Sequence, residues 1–209
     1  LDSLLAQTFT DFELVLSDNA STDGTEAICR EYAANDARVR YVRQSVNRGG
    51  AANFQFVLNE GVGKYFMWAA TDDWWSPNWV KVLAESLDKD PFASFAMGVP
   101  VFVDEKNEKI TLDSYSYSPD YIPELKSDLS PLVRLFKFLK NRNDMVIYSL
   151  IRKENLLGIK IAEPKIGRLP YDVIYGVIYK LLYAGGILKT ELVQCHKRIH
   201  SHQQSSKIF

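Results

Sequence analysis

The sequence predicts an α/β fold in which a mostly parallel sheet is covered by helices on both faces, followed by a smaller antiparallel and helical C-terminal part. Over the first 90 residues, apolar segments of strand length alternate with helical segments of about ten residues. Strands that alternate with such helices are typical of βαβ units and parallel pairing. The predicted strands of this region are residues 12–17, 39–44 and 64–70.

Each of these strands is followed by residues that favour a helix start. Asp23 has the character of an N-cap, with Glu26 three residues later, as in a capping box. The segment "NRGGAANFQFVL" (47–58) contains the second helix, and Ser76 with Pro77 opens the third. The first half of the chain is therefore predicted in regular strand–helix order.

Beyond Pro91 the pattern changes to an antiparallel one, so we expect one domain in two halves, 1–90 and 91–209. A strand, a polar turn at 105–109 and a return strand come first. The other expected elements are a basic amphipathic helix "PLVRLFKFLKNR" (131–142), a strand at 145–153, a helix near 170–184 and a last strand at 187–200.

The composition argues against several classes of protein, among them nucleic-acid binders, disulfide-rich proteins and membrane-spanning proteins. The chain carries 25 basic and 26 acidic residues, so its net charge of -1 gives no global field for a nucleic-acid partner. Its two cysteines resemble neither a disulfide framework nor a metal knuckle, which favours buried thiols in a reducing compartment, and we expect a cytoplasmic location. The longest mostly apolar run, "FASFAMGVPVFV", is too short to span a bilayer.

Acidic residues follow two of the predicted strands. Asp18 and Asn19 come directly after residues 12–17, and Asp72 and Asp73 follow residues 64–70. Ligands of open parallel sheets bind at such carboxyl ends, and Mg²⁺ or Mn²⁺ uses one or two carboxylates together with substrate phosphates. The alternative is that either aspartate of the second pair only caps the next helix.

Two further features allow both a functional and a structural interpretation. Asn47, Gly49 and Gly50 can form a tight turn that brings backbone N–H groups to a phosphate, or an ordinary loop. The tryptophans of "DDWWSPNW" (72–79) can form an apolar wall beside the site or belong to the core, and we expect at least one in the core.

The segments "LDSLLAQTFTDFELVLSDNASTDGT", "NRGGAANFQFVL", "GKYFMWAATDDWWSP" and "VIYSLIRKENLL" resemble, in this order and spacing, the family 2 glycosyltransferases. The resemblance implies a GT-A fold, a nucleotide-sugar donor and a divalent metal, Mn²⁺ or Mg²⁺. It implies that Asp18 reads the nucleotide base, commonly uracil. Asn19 and Asn47 are further candidates for nucleotide binding. Asp72 matches the metal-binding end of the family's Asp-x-Asp motif.

The chain departs from the family's Asp-x-Asp motif at one position, and the resemblance extends into residues 91–209. Ala70 replaces the first Asp of the motif, and Asp73 is the candidate to supply its nucleotide contact. The resemblance implies a catalytic base at the start of a later helix. Asp172 is the expected base and Glu163 its rival, while the alternative for Asp172 is ordinary first-turn decoration of the helix.

The closing segment "KRIHSHQQSS" resembles the family's C-terminal His-x-x-x-Ser type segment. His200 is the expected contact to metal or diphosphate, and His202 is the second choice; the alternative is a structural or exposed histidine. The expected halves are then a nucleotide-sugar-binding half, 1–90, which lacks the family's first strand, and an acceptor-binding half, 91–209, with the base.

The expected function is inverting transfer of a sugar from a nucleotide diphosphate, UDP first, to a saccharide or lipid-linked glycan in surface polysaccharide assembly. Peripheral association with the inner face of a membrane through residues 131–142 is one expectation; the alternative is that the Leu/Phe face of this helix packs on the core. The rival functions are a nucleotidyltransferase and a degenerate nucleotide- or glycan-binding module, which Ala70 favours.

Overall fold

The computed structural model describes residues 1–111, 125–140, 143–161 and 171–200, with the backbone alone at 144 and 171–173. Its helices are α1 Asp2–Leu5, α2 Thr25–Asn35, α3 Gly50–Glu60, α4 Trp79–Lys89, α5 Pro131–Lys140 and α6 Tyr171–Ala184. Its strands are β1 Leu14–Asp18, β2 Val39–Arg43, β3 Tyr65–Phe66, β4 Trp74–Trp75, β5 Ala93–Val103, β6 Leu150–Arg152 and β7 Gly186–Arg198. Two 3-10 helices, Asp144–Tyr148 and Lys153–Leu156, flank β6.

The strands form two sheets. In the first, β1 and β2 pair in parallel, with Leu14 opposite Val39 and Asp18 opposite Arg43. The second has five strands in the order β3-β6-β5-β7-β4. Its long central pair, β5 and β7, is parallel, and its other pairs are antiparallel. The predicted α/β fold with parallel strand pairing is therefore confirmed.

Helices cover both faces of the five-stranded sheet. Phe95 and Met97 of β5 pack against α6 and α5 on one face, whereas Ala96, between them, packs against α4 on the other. This alternation follows from the two-residue period of a strand. At Gly98 the two central strands approach so closely that a Cβ atom would lie 2.3 Å from the carbonyl oxygen of Val193, so glycine is required there.

Several predicted boundaries are wrong in detail. The strand expected at 64–70 is only two residues long by hydrogen bonding, and it pairs with β6. The first four residues of the strand expected at 145–153 belong to a 3-10 helix, because the Asn143 side chain accepts a hydrogen bond from the Met145 N–H and starts a turn; only Leu150–Arg152 form a strand. The return strand after the 105–109 turn is reduced to a single bridge between Val103 and Lys109.

Two helix caps also differ from the prediction. The Asp23 carboxylate binds the N–H and hydroxyl of Thr25, so it closes a turn just ahead of α2, whose N-cap is Gly24. The hydroxyl of Ser76 donates to the Gln194 carbonyl of β7 instead of capping α4. Among the described residues, no helix has both the length and the apolar character needed to cross a membrane.

Candidate active site

The carboxylate of Asp18, at the end of β1, is the centre of a buried network. Its Oδ1 accepts a hydrogen bond from the Ser21 N–H at 2.8 Å, and its Oδ2 accepts from the Tyr41 hydroxyl and the Arg43 guanidinium, each at 2.9 Å. The side chain has no exposed surface. Both partners on β2 reach it because the parallel register places Asp18 opposite Arg43. Asp18 thus fixes the turn after β1.

This network lowers the pKa of Asp18. Burial alone would raise the pKa, but the hydrogen bonds from Ser21 and Tyr41 and the charge of Arg43 outweigh burial and hold it below its ordinary value of 3.8. A lowered native pKa means that the ionised carboxylate stabilises the fold above pH 3.8, and that this contribution is lost as the pH falls through the native pKa.

We therefore expect Asp18→Asn to lower the free energy of unfolding near pH 7 by about 1–3 kcal/mol, the range for hydrogen bonds to a charged group. The difference between Asp18→Asn and the parent chain should be constant above about pH 5 and should shrink below pH 3.8. Urea denaturation from pH 3 to 7 measures it. A difference that does not depend on pH would show that the charge of Asp18 is unimportant.

Asn19 joins the end of β1 to the loop before α3. Its Nδ2 donates to the Asn47 side chain at 2.9 Å and to the Gly49 carbonyl at 3.1 Å, and its Oδ1 accepts from the Arg48 N–H at 3.0 Å. Gly49 has φ 82°, a left-handed conformation that favours glycine, and it precedes the first residue of α3. The predicted proximity of Asn19, Asn47 and Gly49 is therefore present in the structure.

Helix α3 connects this loop to the segment that leads to Asp72. Its Asn53 exchanges hydrogen bonds with Ser17 of β1. The next residue of α3, Phe54, makes two contacts with Trp68. Its ring stacks on the Trp68 ring at 5.8 Å, and its carbonyl accepts a hydrogen bond from the Trp68 indole N–H. Trp68 is buried four residues before Asp72. The two predicted acidic strand ends are thus held by the same helix.

Asp72 and His200, which are 128 residues apart in the sequence, meet in the structure. His200 Nε2 lies 3.1 Å from Asp72 Oδ2, and His200 Nδ1 lies 4.0 Å from Glu105 Oε1. The Asp72 side chain is 27% exposed and that of His200 is 40% exposed. Both side chains can therefore reach a ligand from solvent. The structure brings together the two residues predicted to bind metal or diphosphate.

Asp73 points to the other side of the chain, as expected for the neighbour of Asp72 in an extended segment. Its side chain has no exposed surface, and it binds Lys197 Nζ at 2.9 Å and the Arg198 N–H at 3.2 Å. Lys197 also lies over the Tyr148 ring at 4.2 Å. The prediction that Asp73 contacts the nucleotide is therefore corrected: its carboxylate is engaged inside the protein, between β4 and β7.

Charge and burial act against each other in this pair. Burial alone would lower the pKa of Lys197, but interaction with Tyr148 and Asp73 raises it above the ordinary value. Burial raises the pKa of Asp73, and the charge of Lys197 limits that rise. Beside them, burial raises the pKa of the Cys195 thiol to about 12, so this cysteine is an apolar core residue, as expected.

The tryptophans divide between core and site. Trp75 and Trp79 are buried in the core, as expected for at least one of them. Trp74 shares the face of Asp72, and its ring stacks on His196 at 4.9 Å with an angle of 4° between the planes. Arg198 lies 5.4 Å from the Trp74 ring and donates to Asn107 at 2.7 Å. Trp74 therefore lines the same face as Asp72 and His200.

Sequence reasoning missed four residues of this arrangement: Tyr41, Arg43, Asn53 and Lys197. The first three bind side chains at or near the end of β1, and Lys197 neutralises Asp73. A signal was available only for Arg43, which is the second-last residue of the predicted strand 39–44 and so lies near the end of the first strand under parallel pairing. No local pattern marks a partner of Asp73 that lies 124 residues away.

The predicted catalytic base is placed only by its backbone. Asp172 is the second residue of α6, as predicted for a carboxylate at a helix start. Its rival Glu163 and the second histidine, His202, lie outside the described residues. Asp172 therefore stays a prediction.

A divalent metal fits this site only with ligands from the substrate. Within the part of the chain that the structure describes, no group of three or more His, Cys, Asp or Glu side chains is arranged to hold a metal ion. Asp72 and His200 supply one oxygen and one nitrogen ligand. Mn²⁺ and Mg²⁺ are commonly held by one or two carboxylates together with substrate phosphates and water. The pair is thus compatible with a site that a diphosphate completes.

The comparison with known families agrees with this geometry. Residues 1–156 match the profile of Glycosyl transferase family 2. The chain belongs to this family. Asp18 and Asp72 both lie within the matched residues, whereas α6 and His200 lie beyond them.

Relatives of this glycosyl transferase family 2 chain include solved structures. S. aureus TarS in complex with UDP-GlcNAc has a TM-score of 0.69 at 16% identity, over 100% of this chain and 56% of that chain. The mannosyltransferase PcManGT from Pyrobaculum calidifontis, in complex with GDP-Man and Mn²⁺, has a TM-score of 0.62 at 15% identity, over 99% of this chain and 54% of that one. The fold is thus the GT-A fold, as the resemblance implied.

The curated relatives are longer than the matched region. Glycosyltransferase GlyA of Streptococcus pneumoniae serotype 4 is 33% identical over 87 residues, which is 42% of this chain and 12% of GlyA. This chain therefore corresponds to a limited part of the relatives it matches.

Proposed function

We propose that this chain is the catalytic GT-A domain of an inverting glycosyltransferase that takes its sugar from a nucleotide diphosphate, UDP first. The observation that carries the proposal is the convergence of Asp72 and His200, 3.1 Å apart, where Asp72 lies between β3 and β4 in a member of glycosyl transferase family 2. The nucleotide complexes of TarS and PcManGT support a nucleotide-sugar donor.

In this proposal the donor lies across the two clusters that α3 connects. Asn19, Asn47 and the backbone of Gly49 form the nucleotide end, and Asp18 holds the adjoining turn in place. Asp18 accepts three hydrogen bonds and has no exposed side-chain surface, so the predicted contact between its carboxylate and a base N–H is not available in this structure. Asp72 and His200 form the diphosphate end.

The proposed reaction forms one bond and breaks another at the anomeric carbon. The carboxylate of Asp172 takes the proton of the acceptor hydroxyl, whose oxygen attacks the anomeric carbon from the face opposite the diphosphate. The bond from that carbon to the diphosphate oxygen breaks, and the nucleoside diphosphate leaves with the electron pair. A divalent metal held by Asp72 and His200 would neutralise charge on the leaving diphosphate.

The acceptor in this proposal is a saccharide or a lipid-linked glycan of a surface polysaccharide, and the reaction takes place in the cytoplasm at the inner face of the membrane. Support for this part is the family membership and the character of α5, which is described below. Trp74 is the proposed contact for an acceptor sugar ring, because it is partly exposed and shares the face of Asp72.

Calorimetric titration with UDP, with and without Mn²⁺, tests the donor site. We expect the parent chain to bind UDP more tightly with Mn²⁺, and Asp72→Ala to lose at least tenfold of that metal-dependent affinity. Asp128→Ala, which removes an exposed carboxylate near α5, is the matched control and should bind as the parent does.

Two outcomes would contradict the proposal. If UDP and GDP both fail to bind with Mn²⁺, the donor site is not functional in this chain. If UDP binds but no UDP-sugar is hydrolysed or transferred, the chain is a binding module, which the replacement of the motif's first Asp by Ala70 favours.

A further inference from the structure

Helix α5 packs on the protein through a face that includes a buried arginine, and it leaves much of its apolar surface exposed. Its buried residues are Arg134, 4% exposed, and Phe138, fully buried. The alternative that the Leu/Phe face packs on the core therefore holds for Phe138 and Leu135 but not for the rest of that face. Leu132 is 75% exposed, Phe136 61% and Leu139 50%.

Backbone carbonyls explain this orientation. The Arg134 guanidinium donates to Leu182 at 2.7 Å and Leu129 at 2.6 Å, and also to the carbonyls of Ser127 and Tyr183. The carbonyls of Leu182 and Tyr183 belong to the end of α6, and those of Ser127 and Leu129 belong to the segment before α5. An arginine satisfied by four carbonyls, beside Phe138 against the α6 tyrosines, holds α5 in one rotation about its axis.

The outward face combines apolar residues with basic charge alone. Leu132, Phe136 and Leu139 follow the i, i+4, i+7 spacing and so form one stripe along the helix. Lys137 and Lys140 are exposed on the adjoining flank, with Lys140 Nζ 4.7 Å from the centre of the Phe136 ring. The helix sequence contains no acidic residue.

From this arrangement we propose that the outward face of α5, formed by Leu132, Phe136, Leu139, Lys137 and Lys140, is a surface that docks on an anionic lipid bilayer. An amphipathic helix with an apolar stripe and a lysine flank lies in the plane of such an interface, its stripe at the acyl boundary and its lysines at the headgroups. The charge complementarity selects anionic lipid as the occupant. A second copy of this chain would bring the same lysines into mutual repulsion.

Lipid binding by α5 is independent of sugar transfer, because none of its residues belongs to the proposed donor site. The two properties therefore fail separately: loss of donor binding leaves vesicle binding intact, and the reverse also holds. Docking through α5 would bring the domain to a lipid-linked acceptor.

Vesicle co-sedimentation tests this surface. We expect the chain to bind vesicles of equal parts phosphatidylglycerol and phosphatidylcholine, to bind pure phosphatidylcholine at least tenfold more weakly, and to be released by 0.5 M salt. Lys137→Gln with Lys140→Gln should weaken binding to anionic vesicles about twentyfold, roughly fivefold for each lysine. Leu132→Ser with Phe136→Ser should reduce it at least tenfold.

Leu192→Ser is the matched control, because this leucine of β7 is 81% exposed and lies outside α5. It should bind anionic vesicles as the parent chain does. Equal binding by the α5 variants and the parent, or no binding by the parent, would overturn the proposal. So would a parent chain that is dimeric by light scattering and becomes monomeric with the Leu132→Ser and Phe136→Ser changes, since α5 would then be an interface between copies. Circular dichroism and UDP affinity check that each variant is folded.

Discussion

Replacing Lys197 by Met is expected to lower the free energy of unfolding by about 3–5 kcal/mol, because it leaves the Asp73 carboxylate buried without its partner. Asp73 has no exposed side-chain surface and Lys197 is 12% exposed, so water replaces little of the lost interaction. Methionine fills a similar volume and keeps the contact with the Tyr148 ring apolar. For a chain of this size the expected fall in Tm is roughly 6–20 °C.

A double-mutant cycle separates the ion pair from packing. Asp73→Asn with Lys197→Met removes both charges, so it should be more stable than Lys197→Met alone by at least about 1 kcal/mol. Urea denaturation of the parent, both single variants and the double variant measures the coupling. Arg40→Met, which breaks an exposed pair with Glu60, is the control and should change stability little. Additive effects of the two single changes would contradict the assigned pairing.

The pair also explains how the sequence folds this site. Asp72 and Asp73 are adjacent carboxylates, and alternation along the chain sends one to the ligand face and the other to the interior. The same alternation along β7 turns Lys197 to the interior, whereas its neighbours His196 and Arg198 lie on the face of Trp74. One buried ion pair thus fixes the register of two segments whose outward residues line the candidate site.

The sequence predicted those features that depend on local pattern. The strand–helix order, the start of α3 after the Gly49 turn and the acidic end of β1 at Asp18 follow from periodicity and turn chemistry, which act within a few residues. The pairing of Asp72 with His200 was predicted through the resemblance, since the two are far apart in the sequence.

The features that were not predicted depend on distant partners. For α5 the sequence left two interpretations open, membrane association and a Leu/Phe face packed on the core. Carbonyls from the end of α6 bind Arg134, so the helix buries Arg134 and Phe138 and turns Leu132, Phe136 and Leu139 outward. Asp73 was assigned to the nucleotide because its buried lysine partner is 124 residues away. In both cases a buried charge found a partner that no local pattern marks, and that partner determined which face of the element turned outward.

Asp172→Asn is expected to lower kcat for sugar transfer by about 10²–10⁴-fold, the usual contribution of a general base, while UDP affinity with Mn²⁺ stays within about twofold of the parent. Asparagine has nearly the same shape but takes no proton at neutral pH. The assignment rests on the position of Asp172 at the start of α6, so the alternative is that its charge only favours the helix N-terminus. That role is worth about 0.3–1 kcal/mol of stability and no change in rate.

Three variants decide between these roles when a UDP-sugar that the parent turns over is the donor. A large fall in kcat for Asp172→Asn, with normal UDP binding and a parent-like rate for Glu163→Gln, supports Asp172 as the base. A fall for Glu163→Gln alone moves the base to Glu163. Parent-like rates in both variants, with lower stability for Asp172→Asn, would leave Asp172 as a helix-start residue only. Asp128→Asn, an exposed carboxylate near α5, should match the parent in all three measurements. Because rate and UDP affinity are measured on the same variants, loss of the base is distinguished from loss of the donor site.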